Sequence, residues 1–105
     1  MNNYHIRLSP RARDNIIDIG DYISHTILEP LTSKRFIKDM KQSILSLRQF
    51  PYRYPAINPN DDRPYIRCMP FKNFYIFYTV DDTTQTVTIL RVGYNKRNWT
   101  HILRL

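Results

Sequence analysis

Basic and aromatic side chains cluster between residues 91 and 99, where they could act on an anionic polymer such as RNA. RNA can be cut by attack of its own 2′-hydroxyl on the adjacent phosphate. That reaction requires cations to stabilise the charged transition state and a positioned acid and base. A tyrosine can stack on a base or transfer a proton. If the chain is a ribonuclease, its candidate catalytic residues are Arg67, Lys72, Arg91, Tyr94 and Arg97.

The same cluster could instead bind an anionic partner without any reaction. The residues that precede it alternate as in a β-strand. They should form two faces, with Thr88, Leu90 and Val92 on one and Val87, Ile89 and Arg91 on the other. Gly93 should then let the backbone turn sharply.

Other site chemistry has little support in the sequence. His5, His25 and His101 have no cysteine or carboxylate cluster at ligand spacing, so we expect no metal site. The glycines are Gly20 and Gly93 alone, which excludes a glycine-rich loop that cradles a nucleotide. We therefore expect no cofactor.

Length and charge limit the class of protein. A chain of 105 residues suits one small domain, spanning residues 1–105, with a single core. Its net charge of +7 and pI near 9.8 favour nucleic acid, acidic proteins or anionic membranes as partners. No apolar run could span a bilayer and the N-terminus has no signal-peptide pattern, so we expect no membrane partner. The single cysteine, Cys68, suits a reducing cytoplasm, which is the expected location.

The pattern of apolar residues predicts four strands and two helices. Strands are expected at about residues 3–9, 64–69, 73–80 and 85–92, with a hairpin turn at 81–84. The first helix should cover residues 10–27, because Ser9 can cap it and isoleucines recur at helical spacing. Pro30 should end this helix. A second helix should cover residues 31–50, and a proline-rich loop should follow at 51–64.

These elements predict an α+β fold in a single domain, with an N-terminal strand, an αα-hairpin and then three antiparallel strands. We expect both helices to pack on one face of a four-stranded antiparallel sheet. The strand at 73–80 is apolar on both sides, so a partner protein or residues 97–105 should cover the second face. The candidate partner-binding residues are Tyr75, Phe77, Ile89, Arg91, Tyr94, Lys96, Arg97 and Trp99.

The order β-α-α-β-β-β and several short segments resemble the RelE/ParE superfamily of type II toxin–antitoxin toxins, and its ParE branch most closely. The resemblance covers essentially the whole chain. The segments that carry it are Leu8-Ser9-Pro10-Arg11-Ala12, Asp21-Tyr22-Ile23, Arg35-Phe36-Ile37, Phe50-Pro51, Arg63-Pro64-Tyr65-Ile66-Arg67, Tyr75-Ile76-Phe77-Tyr78 and Ile89-Leu90-Arg91-Val92.

The resemblance implies one of two toxic mechanisms. RelE-like members are RNases that cut messenger RNA on the ribosome, using cations on the middle strands and basic and aromatic residues near the C-terminus. ParE-like members poison DNA gyrase. The strand positions at which RelE-like enzymes have cations correspond here to Ile66, Cys68 and Tyr75, which favours the ParE-like mechanism. The resemblance also implies a hetero-oligomer with a cognate acidic antitoxin.

Three functions follow as alternatives. The leading one is a non-enzymatic toxin that arrests growth by binding DNA gyrase and that an antitoxin neutralises. The second is a metal-independent endoribonuclease of the RelE type, whose targets are the ribosome and its mRNA. The third is a basic nucleic-acid-binding module without toxicity.

Overall fold

In the computed structural model of the protein, which describes residues 3–27, 30–57 and 65–94, two helices cover one face of a four-stranded sheet. The elements are β1 (His5–Leu8), α1 (Pro10–Ile27), α2 (Pro30–Leu45), a 3-10 turn (Ser46–Arg48), β2 (Arg67–Phe71), β3 (Phe74–Asp81) and β4 (Thr86–Gly93). The predicted α+β fold and its element order are confirmed.

Helix α1 begins where the sequence predicts it, because Ser9 caps it. The Ser9 hydroxyl oxygen accepts a hydrogen bond from the Ala12 amide at 3.0 Å, which satisfies one of the unpaired donors of the first turn. Helix α2 ends at Leu45, not at the predicted Phe50. The chain tightens there into the 3-10 turn, and Pro51 disfavours helical backbone at the residue before it.

The strand order is β1-β4-β3-β2, and β1 pairs with β4 in parallel. The expectation of a fully antiparallel sheet is therefore wrong, and the sheet is mixed. Strands β2, β3 and β4 are joined by tight turns, which require antiparallel pairing. The link from β1 to the rest of the sheet runs through both helices, and such a long crossover permits parallel pairing.

One predicted turn differs in the structure. Gly93 is the final residue of β4 and pairs with Tyr75, so the sharp turn expected at this glycine is wrong. Among the described residues, positive φ angles occur instead at Lys72 (53°) and Gln85 (51°). They lie in the turns that follow β2 and precede β4, so these two residues supply the left-handed backbone that glycine usually provides.

A β-bulge in β4 changes which side chains face the helices. Phe77 pairs with Arg91, whereas the next residue of β3, Tyr78, pairs with Ile89, so Leu90 is the extra residue. Ile89 and Val92 therefore both face the helices, although a regular strand would place them on opposite faces. The predicted grouping of Ile89 with Arg91 on one face is wrong for this reason.

The core lies between the helices and the sheet. Met40, Ile44 and Leu47 from the second helical segment meet Ile76 and Tyr78 from β3. The Tyr78 side chain is fully buried, and its hydroxyl donates a 2.8 Å hydrogen bond to the Pro51 carbonyl. Burial raises the pKa of Tyr78 to about 12.

Candidate functional site

Arg91 is fixed in place by Asn15 of α1. The Asn15 side-chain oxygen accepts a hydrogen bond from Arg91 Nε at 3.1 Å and another from the Val92 amide at 3.0 Å. Strand β1 pairs with β4 only as far as Ile89, so the asparagine satisfies a strand-edge donor that β1 does not reach. One side chain thus replaces a missing strand and orients a guanidinium group.

Ser9 joins the start of α1 to the same part of β4. Its amide donates to the Ile89 carbonyl at 2.9 Å, and its hydroxyl donates to the Leu90 carbonyl at 2.7 Å. Because the Ser9 hydroxyl also caps α1, the helix cannot shift along the strand without losing several hydrogen bonds. The position of Asn15 relative to Arg91 is therefore well determined.

Tyr94 is the exposed end of a chain of aromatic rings. Its ring lies 5.3 Å from that of Phe74, which in turn lies 5.6 Å from Phe36, all in edge-to-face geometry. Tyr94 is 63% exposed, and it forms one side of a cleft of about 380 Å³ with Tyr22 of α1 opposite. Lys72 lies over the Phe36 and Phe71 rings, with Nζ 5.1 Å and 5.7 Å from their centres.

Arg67 belongs to a separate cluster beside the loop that follows the 3-10 turn. Its Nη1 donates a 2.6 Å hydrogen bond to the Tyr54 carbonyl, and its guanidinium carbon lies 4.7 Å from the centre of the Tyr52 ring. The second arginine in this region, Arg53, lies over the rings of Phe50 and Tyr54. Aromatic stacking therefore holds both guanidinium groups.

A carboxylate with two tyrosine partners lies next to this cluster. The hydroxyls of Tyr4 and Tyr52 both donate to the same oxygen of Asp82, in the turn between β3 and β4. These two hydrogen bonds, with the bond from Tyr52 the stronger influence, lower the pKa of Asp82. The pKa of Tyr4 is raised chiefly by its bond to Asp82, and that of Tyr52 by desolvation and then by the same carboxylate.

The predicted site residues occupy several different places. Arg91 and Tyr94 lie near each other at the end of β4, Lys72 lies in the turn between β2 and β3, and Arg67 begins β2 against the loop. Arg97 lies outside the described residues, as do Lys96 and Trp99. No common centre formed by the described cations is seen in residues 3–27, 30–57 and 65–94.

The residues predicted to bind a partner differ in their burial and in the face of the sheet on which they lie. Tyr75 is half-buried and alternates along β3 with the core residues Phe74 and Ile76, so it lies on the face away from the helices. Phe77 lies on that face too, but it is fully buried. Ile89 is fully buried in the core on the helix side, so it does not belong to this face.

Sequence reasoning missed Asn15 and Arg53. Asn15 had a signal, because asparagine is a poor helix former and here it directly precedes Ile16 of the apolar stripe. Arg53 stands between two tyrosines in the loop, a pattern that suits cation–π contacts.

The described ranges hold neither a metal-binding cluster nor a membrane-spanning helix. These residues contain no group of three or more histidine, cysteine or acidic side chains that could hold a metal ion. None of the helices in the described part of the chain is long and apolar enough to cross a membrane.

The chain is a small basic domain with an αα-hairpin on a mixed four-stranded sheet and an arginine oriented at the end of β4. The family profile of the ParE toxin of the type II toxin–antitoxin system parDE matches residues 6–99. The chain therefore belongs to the ParE toxin family. The predicted place in the RelE/ParE superfamily, on its ParE side, is confirmed. No curated protein sequence is a significant match.

Solved structures share the fold at low sequence identity. The chromosomal ParDE system of P. aeruginosa matches with a TM-score of 0.72 and 16% identity, covering 89% of this chain and 97% of that chain. The RelBE2 toxin–antitoxin complex of Mycobacterium tuberculosis matches with a TM-score of 0.64 and 21% identity, covering 90% and 94%. The intact E. coli RelBE complex matches with a TM-score of 0.57 and 17% identity, covering 90% and 99%.

Proposed function

We propose that this toxin arrests growth by binding DNA gyrase, and that it has no chemical step of its own. The observation that carries the proposal is the separation of the cations that a ribonuclease would need. Arg67 and Lys72 are at opposite ends of β2, which at the rise of an extended strand is roughly 15 Å. Catalytic donors must lie about 3 Å from the oxygen whose charge they stabilise.

The partners of these cations also support a binding role. Arg67 is stacked on Tyr52, Lys72 lies over two phenylalanine rings, and Arg91 is bonded to Asn15. Each contact stabilises the fold around the side chain. The middle-strand positions at which RelE-like enzymes have cations are occupied by Cys68 and Tyr75, and Ile66 stands just before β2. A transition state with additional negative charge would find little compensation there.

The test is a pair of assays on the same purified protein. We expect it to inhibit supercoiling by gyrase and to trap cleaved DNA, and to leave ribosome-bound mRNA intact. Arg91→Ala should weaken gyrase inhibition by about 1–3 kcal/mol, because a hydrogen-bonded charge is lost, and Arg91→Lys should weaken it less. Codon-positioned cuts in ribosome-bound mRNA that Arg91→Ala abolishes would overturn the proposal.

One observation favours the ribonuclease as a second candidate. Arg91 is oriented by Asn15 before any ligand binds, and a pre-oriented guanidinium is what transition-state stabilisation requires. In that case Arg91→Ala should lower the cleavage rate on the order of 10²-fold or more while affecting mRNA binding less. Single-turnover cleavage beside a binding measurement separates the two effects.

We also propose a cognate acidic antitoxin that forms a hetero-oligomer with this protein in the cytoplasm. A chain with a net charge of +7 would gain both association rate and specificity from an acidic partner. The proposed contact residues among those described are Tyr75 of β3, Arg91 of β4 and Tyr94 directly after β4. Co-expression with the product of the neighbouring gene should restore growth, and growth arrest that persists would contradict the pairing.

A further inference from the structure

We propose that a second surface of this protein binds single-stranded nucleic acid, with bases stacked on its exposed rings and phosphates bound by its guanidinium groups. This arginine–aromatic surface consists of Phe50, Tyr52, Arg53, Tyr54 and Arg67. It lies beside the 3-10 turn and contains neither Arg91 nor Tyr94. The proposal therefore does not depend on the gyrase or antitoxin proposals.

Arg53 lies within cation–π distance of two aromatic rings. Its guanidinium carbon lies 6.0 Å from the centre of the Phe50 ring and 5.8 Å from that of Tyr54. Its Nη2 donates hydrogen bonds to the carbonyl and the hydroxyl of Ser46, at 3.0 Å and 3.1 Å. An arginine restrained in this way loses less conformational entropy when it binds an anion.

Arg67 is restrained similarly by its bond to the Tyr54 carbonyl and by the Tyr52 ring. Within the described residues, Nε and Nη1 of Arg53 and Nε and Nη2 of Arg67 have no hydrogen-bond partner. Both arginines contact Tyr54, Arg53 over its ring and Arg67 at its carbonyl oxygen. The charges of both also lower the pKa of Tyr78, although less than burial raises it. Two oriented guanidinium groups, with N–H donors that bond to no described residue, therefore lie on the same part of the surface.

The aromatic side chains supply planar apolar surface at the same place. Phe50 is 60% exposed and Tyr52 is 47% exposed. An open cleft of about 780 Å³ lies over them, lined by Ser46, Gln49, Phe50, Pro51, Tyr52 and Arg53. A base can stack on an aromatic side chain only if it has left a duplex, so the surface suits a single strand.

Charge complementarity favours the same ligand. The protein has a net charge of +7. Asp81 and Asp82 line a cleft together with Arg67, and Asp82 already accepts hydrogen bonds from Tyr4 and Tyr52, whereas Asp81 accepts them from the amides of its own turn. An acidic peptide could pair with the guanidinium groups but would leave the exposed Phe50 ring without a planar partner. A nucleic-acid strand satisfies both kinds of group, because it presents a phosphate and a base in every nucleotide.

Fluorescence anisotropy with a labelled single strand of about 12 nucleotides, as oligo(dT) and as oligo(U), tests the proposal. Phe50→Ala should weaken binding roughly 5- to 100-fold through lost stacking and leave the salt dependence unchanged. Arg53→Ala should weaken binding and also reduce the slope of log K against log salt by about 0.7. The two oligomers show whether the surface distinguishes RNA from DNA.

Two controls separate this site from general attraction to a basic protein. Lys38→Ala removes one charge from the groove between α1 and α2 and should change affinity far less than Arg53→Ala. Arg53→Lys keeps the charge but loses the planar fork, so it should weaken binding with an unchanged salt slope. The melting temperature of each variant shows that the loss of binding does not come from unfolding.

Several results would overturn the proposal. One is equal affinity for a nucleic-acid duplex of the same length, and another is unchanged affinity in Phe50→Ala. Equal losses of affinity in Lys38→Ala and Arg53→Ala would also contradict it, as would tighter binding of an oligoglutamate peptide than of the single-stranded oligonucleotide. Gyrase inhibition by Phe50→Ala is measured alongside. A variant that no longer binds the oligonucleotide but still inhibits gyrase shows that the two functions are separate. Failure of one proposal can then be distinguished from failure of the other.

Discussion

At the scale of single residues, Asn15 has the largest influence on the candidate site. It accepts hydrogen bonds from a backbone amide and from a charged side chain, and both donors are 76 or 77 residues away in sequence. Tyr78 has a comparable role in the core, since its hydroxyl satisfies the carbonyl of the buried Pro51. Each of these polar groups would be costly to leave unpaired.

Asn15→Ala should lower the free energy of unfolding by about 1–3 kcal/mol, because two partly buried donors lose their acceptor. The better helix propensity of alanine offsets a few tenths of this cost. Asp14→Ala, at the exposed neighbouring position, serves as the control. It gains the same helix propensity but removes neither of the two hydrogen bonds to Asn15. Urea unfolding measures both, and equal stability of the two variants would contradict the role of Asn15.

Tyr78→Phe should lower the free energy of unfolding by about 1–3 kcal/mol at neutral pH, because the Pro51 carbonyl loses its donor. The difference in the free energy of unfolding between wild type and Tyr78→Phe should become smaller at alkaline pH. The folded pKa of Tyr78, about 12, lies above the ordinary tyrosine value of 10.0. The neutral phenol therefore stabilises the fold fully below pH 10.0 and loses this effect as the pH rises towards 12. Unfolding curves at pH 8 and above pH 11 measure this difference. A difference that is the same at both pH values would contradict the prediction.

At the scale of elements, the turn between β3 and β4 connects distant segments. Asp81 accepts hydrogen bonds from the amides of Thr83 and Thr84, which closes the turn. Asp82 then joins this turn to the segment before β1 and to the loop after the 3-10 turn, through Tyr4 and Tyr52. One short turn therefore fixes three parts of the chain.

Asp82→Asn tests this connection through its dependence on pH. The folded pKa of Asp82 is lowered, so its carboxylate contributes stability above the ordinary aspartate value of 3.8 and loses it as the pH falls through the folded pKa. Wild type should be more stable than Asp82→Asn at pH 6, and the difference should shrink at pH 3. Asp14→Asn is the control for a change in charge alone. A difference that stays the same at both pH values would contradict the prediction.

Local signals made the helices predictable, whereas the pairing of distant strands was not predictable from sequence. Ser9 and the isoleucine spacing located the start of α1 correctly, because capping and periodicity act over a few residues. The parallel pairing of β1 leaves no mark on its own sequence. The bulge at Leu90 is set by packing against β3, so strict alternation misassigned Ile89. The contact between Asn15 and Arg91 likewise exists only in the folded state.

At the scale of the whole molecule, stability depends on one core between the helices and the sheet. Ile44 is 3% exposed in this core, and its neighbour Leu45 is 48% exposed. Ile44→Asp should lower the free energy of unfolding by about 4 kcal/mol or more, because it buries an unpaired charge. Leu45→Asp makes a similar change at the surface and should cost far less. Equal melting temperatures for the two variants would show that the core is assigned wrongly.

The parallel pairing of β1 with β4 has a consequence for synthesis on the ribosome. Ser9, directly after β1, bonds to Leu90, which is 81 residues further along the chain. Synthesis adds about 5–20 residues per second, so β4 is made roughly 4–16 s after β1. Throughout that interval β1 lacks the strand with which it pairs, and the oriented Arg91 does not yet exist. Under the proposed function, this interval is the time in which the cell can provide the antitoxin before the surface around Arg91 is complete.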